Sequence, residues 1–349
     1  MSAIANKDPI SSLFAGSAAS RFGRAQRRPR GTRIPVSIVT GFLGAGKTTL
    51  IRALLDSPEG ANTAVVVNEY GEIGIDNALL RASSDATVLL GNGCVCCLAR
   101  SDLQETLRTL FADRARGAVP SFARVVIETS GLADPGPLLQ TFASDRALAE
   151  EFHLQALVAV IDAPNGIRNL ASAPEAREQV ALADRIVLTK TDLADPAEVL
   201  ARLAELTAAP VARAVNGAID PPYLLDERLN LPVRPHEHDH AHAHSHGIAS
   251  FALTFERPLA WPAFEQAMAV LTTLRGADLL RVKGIVAVEG VSGPVVIHAV
   301  QHTSHRPVEL LDWPDGDRTS RLVFITRGIE RRQVEDLLAA VAAVARIGS

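Results

Sequence analysis

A chain of 349 residues with 47% hydrophobic and 21% charged residues has the balance of a soluble globular protein and room for two domains. Its formal charge of −4 offers no basic footprint for nucleic acid, and no apolar stretch approaches the roughly 20 residues that span a bilayer, so nucleic-acid binding and membrane insertion are not expected. All three cysteines sit within four positions, which excludes a disulfide framework.

Residues 1–32 are rich in Ser, Ala and Arg, with Arg21, Arg24, Arg27, Arg28 and Arg30 clustered near the end. They predict a disordered basic tail. Asp8 interrupts a transit-peptide pattern and there is no secretory-type apolar core, so a cytoplasmic location is expected. From residue 33 to about 226, short β-branched runs alternate with helix-like stretches, the pattern of an α/β domain with a mostly parallel sheet.

The first strand is expected at Ile34–Thr40 and a helix at 49–55. Between them Gly41-Phe42-Leu43-Gly44-Ala45-Gly46-Lys47-Thr48 reads as a loop that binds the phosphates of a nucleoside triphosphate. Gly41, Gly44 and Gly46 let the backbone curl so that successive N–H groups face phosphate oxygens, and the helix that follows adds its N-terminal dipole. Lys47 reaches the β- and γ-phosphates and Thr48 ligates Mg2+. Ala45 and Thr49 complete this predicted phosphate site.

A second strand, Thr63–Val67, leads into Asn68-Glu69-Tyr70-Gly71-Glu72, a candidate switch that senses the γ-phosphate. Glu69 and Glu72 read either as oxygen ligands of a metal or as a solvated acidic turn. After a third strand at 87–90, Gly91-Asn92-Gly93 precedes Cys94-Val95-Cys96-Cys97. Three close thiolates suit zinc or copper(I) and leave cobalt and nickel open; a redox pair or a buried cysteine-rich turn are the other readings.

A helix is expected at 101–113 and an apolar strand at 124–127, with Glu128-Thr129-Ser130-Gly131 following. Glu128 stands where a Walker-B carboxylate would hold the Mg2+ shell or orient water, and Gly131 is placed to give its N–H to the γ-phosphate. Strands at 156–161 and 185–188 come next, then Thr189-Lys190-Thr191-Asp192. Asp192 can accept both donors on guanine's edge while the Lys190 stem lies along the base. Thr189 stands where Asn is usual and lacks the amide that would bind both base and phosphate loop, which implies looser affinity or some ATP use. A helix at 196–206 and a strand at 211–215 follow, and Asn216-Gly217 completes the predicted base pocket.

Residues 227–248 form a predicted linker in which His236, His238, His240, His242, His244 and His246 alternate with other residues. Imidazoles at every second position can chelate zinc, nickel or cobalt weakly; a purely solvated linker is the alternative. From 249 to 349 the expected order is a strand at 250–255, a helix at 261–274, strands at 280–288, 295–299 and 321–326, and a helix at 330–344, a small α+β domain. No metal role is assigned to its His298, His302 and His305.

Gly-Phe-Leu-Gly-Ala-Gly-Lys-Thr-Thr, Asn-Glu-Tyr-Gly-Glu, Gly-Cys-Val-Cys-Cys, Glu-Thr-Ser-Gly-Leu-Ala-Asp-Pro and Thr-Lys-Thr-Asp, in this order, resemble the CobW-like metallochaperone GTPases, relatives of UreG and HypB. The likeness runs from about Ile34 through Ile329, with 279–284 and 299–302 resembling that family's C-terminal domain. It implies that Lys47 and Thr48 serve phosphate and Mg2+, that Glu128 and Gly131 act at the γ-phosphate, that Asp192 reads guanine, and that a metal site forms around Cys96 with Cys94 and Cys97 beside it. It further implies slow GTP hydrolysis, on the order of 10⁻⁴ to 10⁻² per second, and nucleotide-gated delivery of Zn2+, Co2+ or Ni2+ to a client metalloprotein. A homodimer is compatible with it. The other readings are a GTP-regulated metal buffer or sensor that stores metal in the His-rich linker, and a P-loop phosphotransferase with redox-active cysteines.

Overall fold

The computed structural model describes residues 33–67, 88–91, 100–225, 248–304, 307–313 and 317–347. The expectations for 1–32, 68–87, the three cysteines and the histidine run 226–247 lie outside the described residues.

The first domain is built on strands β1 (Ile34–Thr40), β2 (Thr63–Val67), β3 (Val88–Gly91), β4 (Arg124–Glu128), β5 (Phe152–Asp162), β6 (Arg185–Thr189) and β7 (Val211–Ala214). They form one sheet in the order β3-β2-β4-β1-β5-β6-β7, every neighbouring pair parallel. Parallel strands need crossovers, and the chain makes them with α1 (Lys47–Leu55), α2 (Arg100–Arg116), α3 (Gly136–Ser144), α4 (Arg146–Glu151), α5 (Gly166–Ser172), α6 (Pro174–Leu182), α7 (Ala197–Leu206) and α8 (Pro221–Leu225). Both faces of the sheet are therefore covered, which is why β1, β2 and β6 are buried along nearly their whole length. Alternate residues serve opposite faces: Val65 and Val67 pack with Leu50, Ile51 and Leu54 of α1, whereas Ala64 and Val66 pack with Leu103, Leu107 and Leu110 of α2. Each buried valine, leucine or isoleucine among them contributes roughly 1.5–3 kcal/mol of transfer free energy.

The second domain is an antiparallel sheet of β8 (Ile248–Phe255), β9 (Arg281–Val286), β10 (Val295–Val300), β11 (Thr303–Ser304), β12 (Val308–Glu309) and β13 (Ser320–Arg327), in the order β11-β10-β9-β13-β8 with β12 on β10. One face holds α9 (Trp261–Arg275) and α10 (Arg331–Ile347) over Leu253, Val282, Val286, Ile297, Leu322 and the stacked pair Phe251 and Phe324, 5.4 Å between centroids. The other face meets the first domain, where Ile248, Leu280, Val300 and Ile325 join its hydrophobic cluster beside α3 and α4. The α/β domain with an α+β domain after it is the architecture expected from the sequence. Helices α3, α4, α5, α6 and α8 are not among those expected from the sequence; at five to nine residues each they are too short to show a helical period. The strand expected at 280–288 begins at Arg281 and ends at Val286: Leu280 is turned into the interdomain cluster. Among the described residues no helix is long and apolar enough to cross a membrane.

The period of β9 explains the joint. With Val282 facing the helices, Arg281 and Lys283 point the other way and close on Asp184, the residue before β6. Arg281 Nη2 donates to both Asp184 oxygens at 3.1 Å, Lys283 Nζ to Oδ1 at 2.6 Å and the Leu157 backbone N–H to Oδ2 at 2.8 Å. Arg281 also donates to Leu182 O and, through Nε, to His298 Nε2 at 3.2 Å, so that nitrogen carries no proton. Burial alone would raise the Asp184 carboxyl, but Arg281, Lys283 and the hydrogen bonds outweigh it and hold it well below the usual carboxylate range. Burial holds the Lys283 ammonium below its ordinary value, with the neighbouring Arg281 adding to the depression and Asp184 opposing it.

Asp184→Asn leaves two buried cations without their counter-charge, and is expected to lower the unfolding free energy by about 3–5 kcal/mol. A carboxyl whose folded value lies below its unfolded value of about 3.9 adds stability above that pH and loses it as the pH falls further. Thermal unfolding followed below about pH 4 should thus show a steeper acid loss in the natural protein than in Asp184→Asn. Equal acid slopes would remove Asp184 from this role.

Candidate functional site

At the end of β1 the chain turns through Gly41, Gly44 and Gly46 at φ of 144°, 73° and 97°, a region that side chains rarely adopt. Gly46 immediately precedes α1, so the unpaired amides of that helix open onto the loop. Lys47 is buried and its ammonium donates to Gly41 O at 2.9 Å and Phe42 O at 3.3 Å, holding the positive charge inside the curl. One residue on, the Thr48 hydroxyl donates to Glu128 Oε1 at 2.7 Å. Glu128 is buried at the end of β4, so a hydroxyl and a carboxylate converge beside the phosphate loop. Hard oxygens of this kind are the donors that Mg2+ accepts, and the pair fits that ion.

Past Glu128, the Thr129 N–H donates to Val39 O at 3.0 Å and its hydroxyl to the Thr40 hydroxyl at 2.9 Å, pinning the strand ends together. Gly131 then lies against the phosphate loop: a Cβ there would stand 2.6 Å from Leu43 N. Only a residue without a side chain lets these two segments approach so closely.

From the other side come the ends of β5 and β6. The Thr189 hydroxyl donates to Ala45 O at 2.7 Å and lies 3.2 Å from Ile161 O. Lys190, at φ 54°, donates to Gly44 O at 2.7 Å and stands 3.5 Å from Asp162 Oδ2. Thr189 lacks the asparagine amide, yet its hydroxyl reaches the Ala45 carbonyl of the phosphate loop because β6 ends beside the loop. Asp192 is exposed two residues beyond Lys190. Asn216, at φ 52°, sits in a turn closed by the Val215–Ala218 bridge, and Gly217 packs on Thr49 and Ala53 of α1.

The fold thus gathers Gly41, Gly44, Ala45, Gly46, Lys47, Thr48, Thr49, Glu128, Gly131 and Lys190 around one loop, with Asp192 and Asn216 on neighbouring turns. Glu69, Glu72, Cys94, Cys96, Cys97 and the six alternating histidines lie outside the described residues, and among the described residues no three or more His, Cys, Asp or Glu form a group able to hold a metal. Sequence reasoning missed Asp162, which is buried and accepts from Asn165 Nδ2 at 2.6 Å as well as from Lys190. Its signal was present: an acidic residue ending an all-apolar strand, the pattern that marked Glu128.

Residues 35–215 match the model of the CobW/HypB/UreG nucleotide-binding domain, and residues 248–342 that of the cobalamin synthesis protein cobW C-terminal domain. The chain is 34% identical to the zinc chaperone YjiA of Escherichia coli strain K12, covering 86% of this chain and 96% of that protein. It is 33% identical to the zinc chaperone CobW of Pseudomonas aeruginosa, covering 88% and 91%. The crystal structure of Zn(II)-bound YjiA GTPase from E. coli superposes with a TM-score of 0.68 at 29% identity, over 88% of this chain and 99% of that one.

Thr189→Val keeps the shape and removes the donor, leaving Ala45 O unmet. The expected loss in affinity for GDP is about five- to tenfold, the worth of one neutral hydrogen bond, read by titration with a fluorescent GDP; Thr189→Ser should retain most of it. Unchanged affinity in Thr189→Val would show that the tie does not shape the phosphate loop.

Proposed function

The chain belongs to the CobW/HypB/UreG family, and on that premise we propose that it is a GTP-hydrolysing zinc chaperone that holds Zn2+ at Cys94, Cys96 and Cys97 in a nucleotide-dependent way and passes it to a client metalloprotein. One observation carries this reading. Val39, Glu128, Val67 and Gly91 are register partners in a row across β1, β4, β2 and β3. Gly91 stands three residues before Cys94, and Val67 one before Asn68. Strands β2 and β3, which the segments bearing the Glu69 and Glu72 carboxylates and the thiolates follow in the sequence, therefore end level with Glu128, about 5 and 10 Å from β4 at one and two strand spacings.

In this reading the loop N–H groups and Lys47 bind the β- and γ-phosphates, and Asp192, with Lys190 and Asn216, reads guanine. Thr48 and Glu128 hold Mg2+, which supplies charge neutralisation at the phosphate oxygens. Gly131 gives its N–H to the γ-phosphate. Attack of water on the γ-phosphorus breaks its bond to the bridging oxygen, yields GDP and phosphate, and removes the group that Gly131 grips. Loss of that contact then loosens the adjoining segments and the metal they carry. Thiolates suit zinc, and the names of both curated relatives support zinc over cobalt or nickel.

The test is the Zn2+ dissociation constant, by chelator competition, with a non-hydrolysable GTP analogue or with GDP bound. The analogue is expected to tighten zinc at least tenfold, a coupling of about 1.4 kcal/mol, and Cys96→Ser to abolish the difference. Zinc affinity indifferent to the nucleotide would sink the proposal.

A further inference from the structure

Gln179 on α6 has no solvent exposure. Its Nε2 donates to two backbone carbonyls, Gly131 O at 3.1 Å and Ala133 O at 3.0 Å. Its Oε1 is buried without a hydrogen-bond partner among the described residues. Two carbonyls facing one nitrogen fix the amide's orientation, since the flipped amide would set oxygen against oxygen. A glutamine is the neutral side chain of this reach that offers two N–H bonds on one atom, so both carbonyls are met without burying an ammonium. The unpaired Oε1 is a cost that a residue serving packing alone would not carry.

The two carbonyls lie in a turn that the Ala133 N–H closes on Ser130 O at 3.1 Å. Glycine has wider backbone freedom than any other residue type, so contacts from outside the turn add to what fixes the direction of the Gly131 N–H. Leu43 supports Gly131 from one side, and Gln179 holds its carbonyl from the other. The anchor is itself anchored: buried Arg177, on the same helix, donates to Leu170 O at 2.9 Å and Ala171 O at 3.0 Å, tying α6 to α5. We propose that Gln179 is a positioning residue for the nucleotide reaction, holding the 131–133 segment so that the Gly131 N–H faces the terminal phosphate. The proposal rests on the assignment of Gly131 to the γ-phosphate made above.

Two variants of the full chain test it, with Mg2+ present. Gln179→Met keeps length and loses both donors. Its affinity for GDP should stay within about twofold of the natural protein, while its affinity for a non-hydrolysable GTP analogue and its kcat/KM each fall at least tenfold. Gln179→Glu keeps the shape but can donate only when its carboxyl is protonated, so its preference for the analogue over GDP should recover as the pH is lowered from about 8 to about 6, buried carboxyls being raised into that range; the natural protein should show no such recovery. Equal weakening of both nucleotides in Gln179→Met, or a pH-independent preference in Gln179→Glu, would make Gln179 a packing residue and overturn the proposal. If the natural protein itself fails to favour the analogue over GDP, it is the Gly131 assignment that fails, and the inference falls with it.

Discussion

The constraint on which the site depends is parallel pairing. A parallel strand cannot be joined to its neighbour by a tight turn, so every connection crosses the sheet and all seven strands of the first domain end at one edge. Because β1 lies between β4 and β5, the chain order reverses around it, and the loop after β1 falls in the crevice that such a reversal opens. Thr40, Glu128, Asp162 and Thr189 are the last residues of four adjacent strands, and each makes a hydrogen bond at that crevice. Residues up to 146 positions apart meet there without any of them needing a special local conformation beyond the loop glycines and Lys190.

The same edge geometry gives the phosphate loop two kinds of support. Lys47 and Lys190 place ammonium groups on three of its carbonyls, while the Thr189 hydroxyl meets a fourth. These cations lie against the loop backbone, where a polyanion bound at the loop amides would meet them already aligned. Such preorganisation spares the reordering of flexible lysines on binding.

Much of this was legible in the sequence. The apolar runs of β1, β2, β4 and β6 are buried on both faces, so their composition alone marks them as interior strands, and the glycine spacing after β1 fixes the phosphate loop. The phosphate-loop residues, Glu128 and Gly131 were readable because each stands at a fixed offset from such a run. The Thr189 hydroxyl bond to Ala45 O was not readable, since the contact depends on how close β6 approaches Ala45, a distance that no spacing encodes. Asp184 and Gln179 were invisible for a related reason. Their partners, Arg281, Lys283, Gly131 and Ala133, lie 46 or more positions away, and nothing local distinguishes a buried aspartate before a strand from a solvated one.

Helix α6 shows why such residues matter beyond their own contacts. Gln179 faces inward to the 131–133 carbonyls, whereas its neighbour Glu178 forms an ion pair with Arg327 at the end of β13 in the second domain. Burial and Asp134 raise the Glu178 carboxyl above its ordinary value while Arg327 opposes them, so one side chain senses both the loop and the second domain. The helix that follows the loop, α3, meets the same domain through Gln140 and Gln301. Segment 131–136 is therefore bounded at both ends by helices that touch the antiparallel sheet. Close-packed interfaces change between discrete arrangements and do not deform smoothly. Gln301 and Arg327 thus join the surroundings of this loop to the second domain, and the Asp184 cluster, two residues past the end of α6, ties the same two domains together.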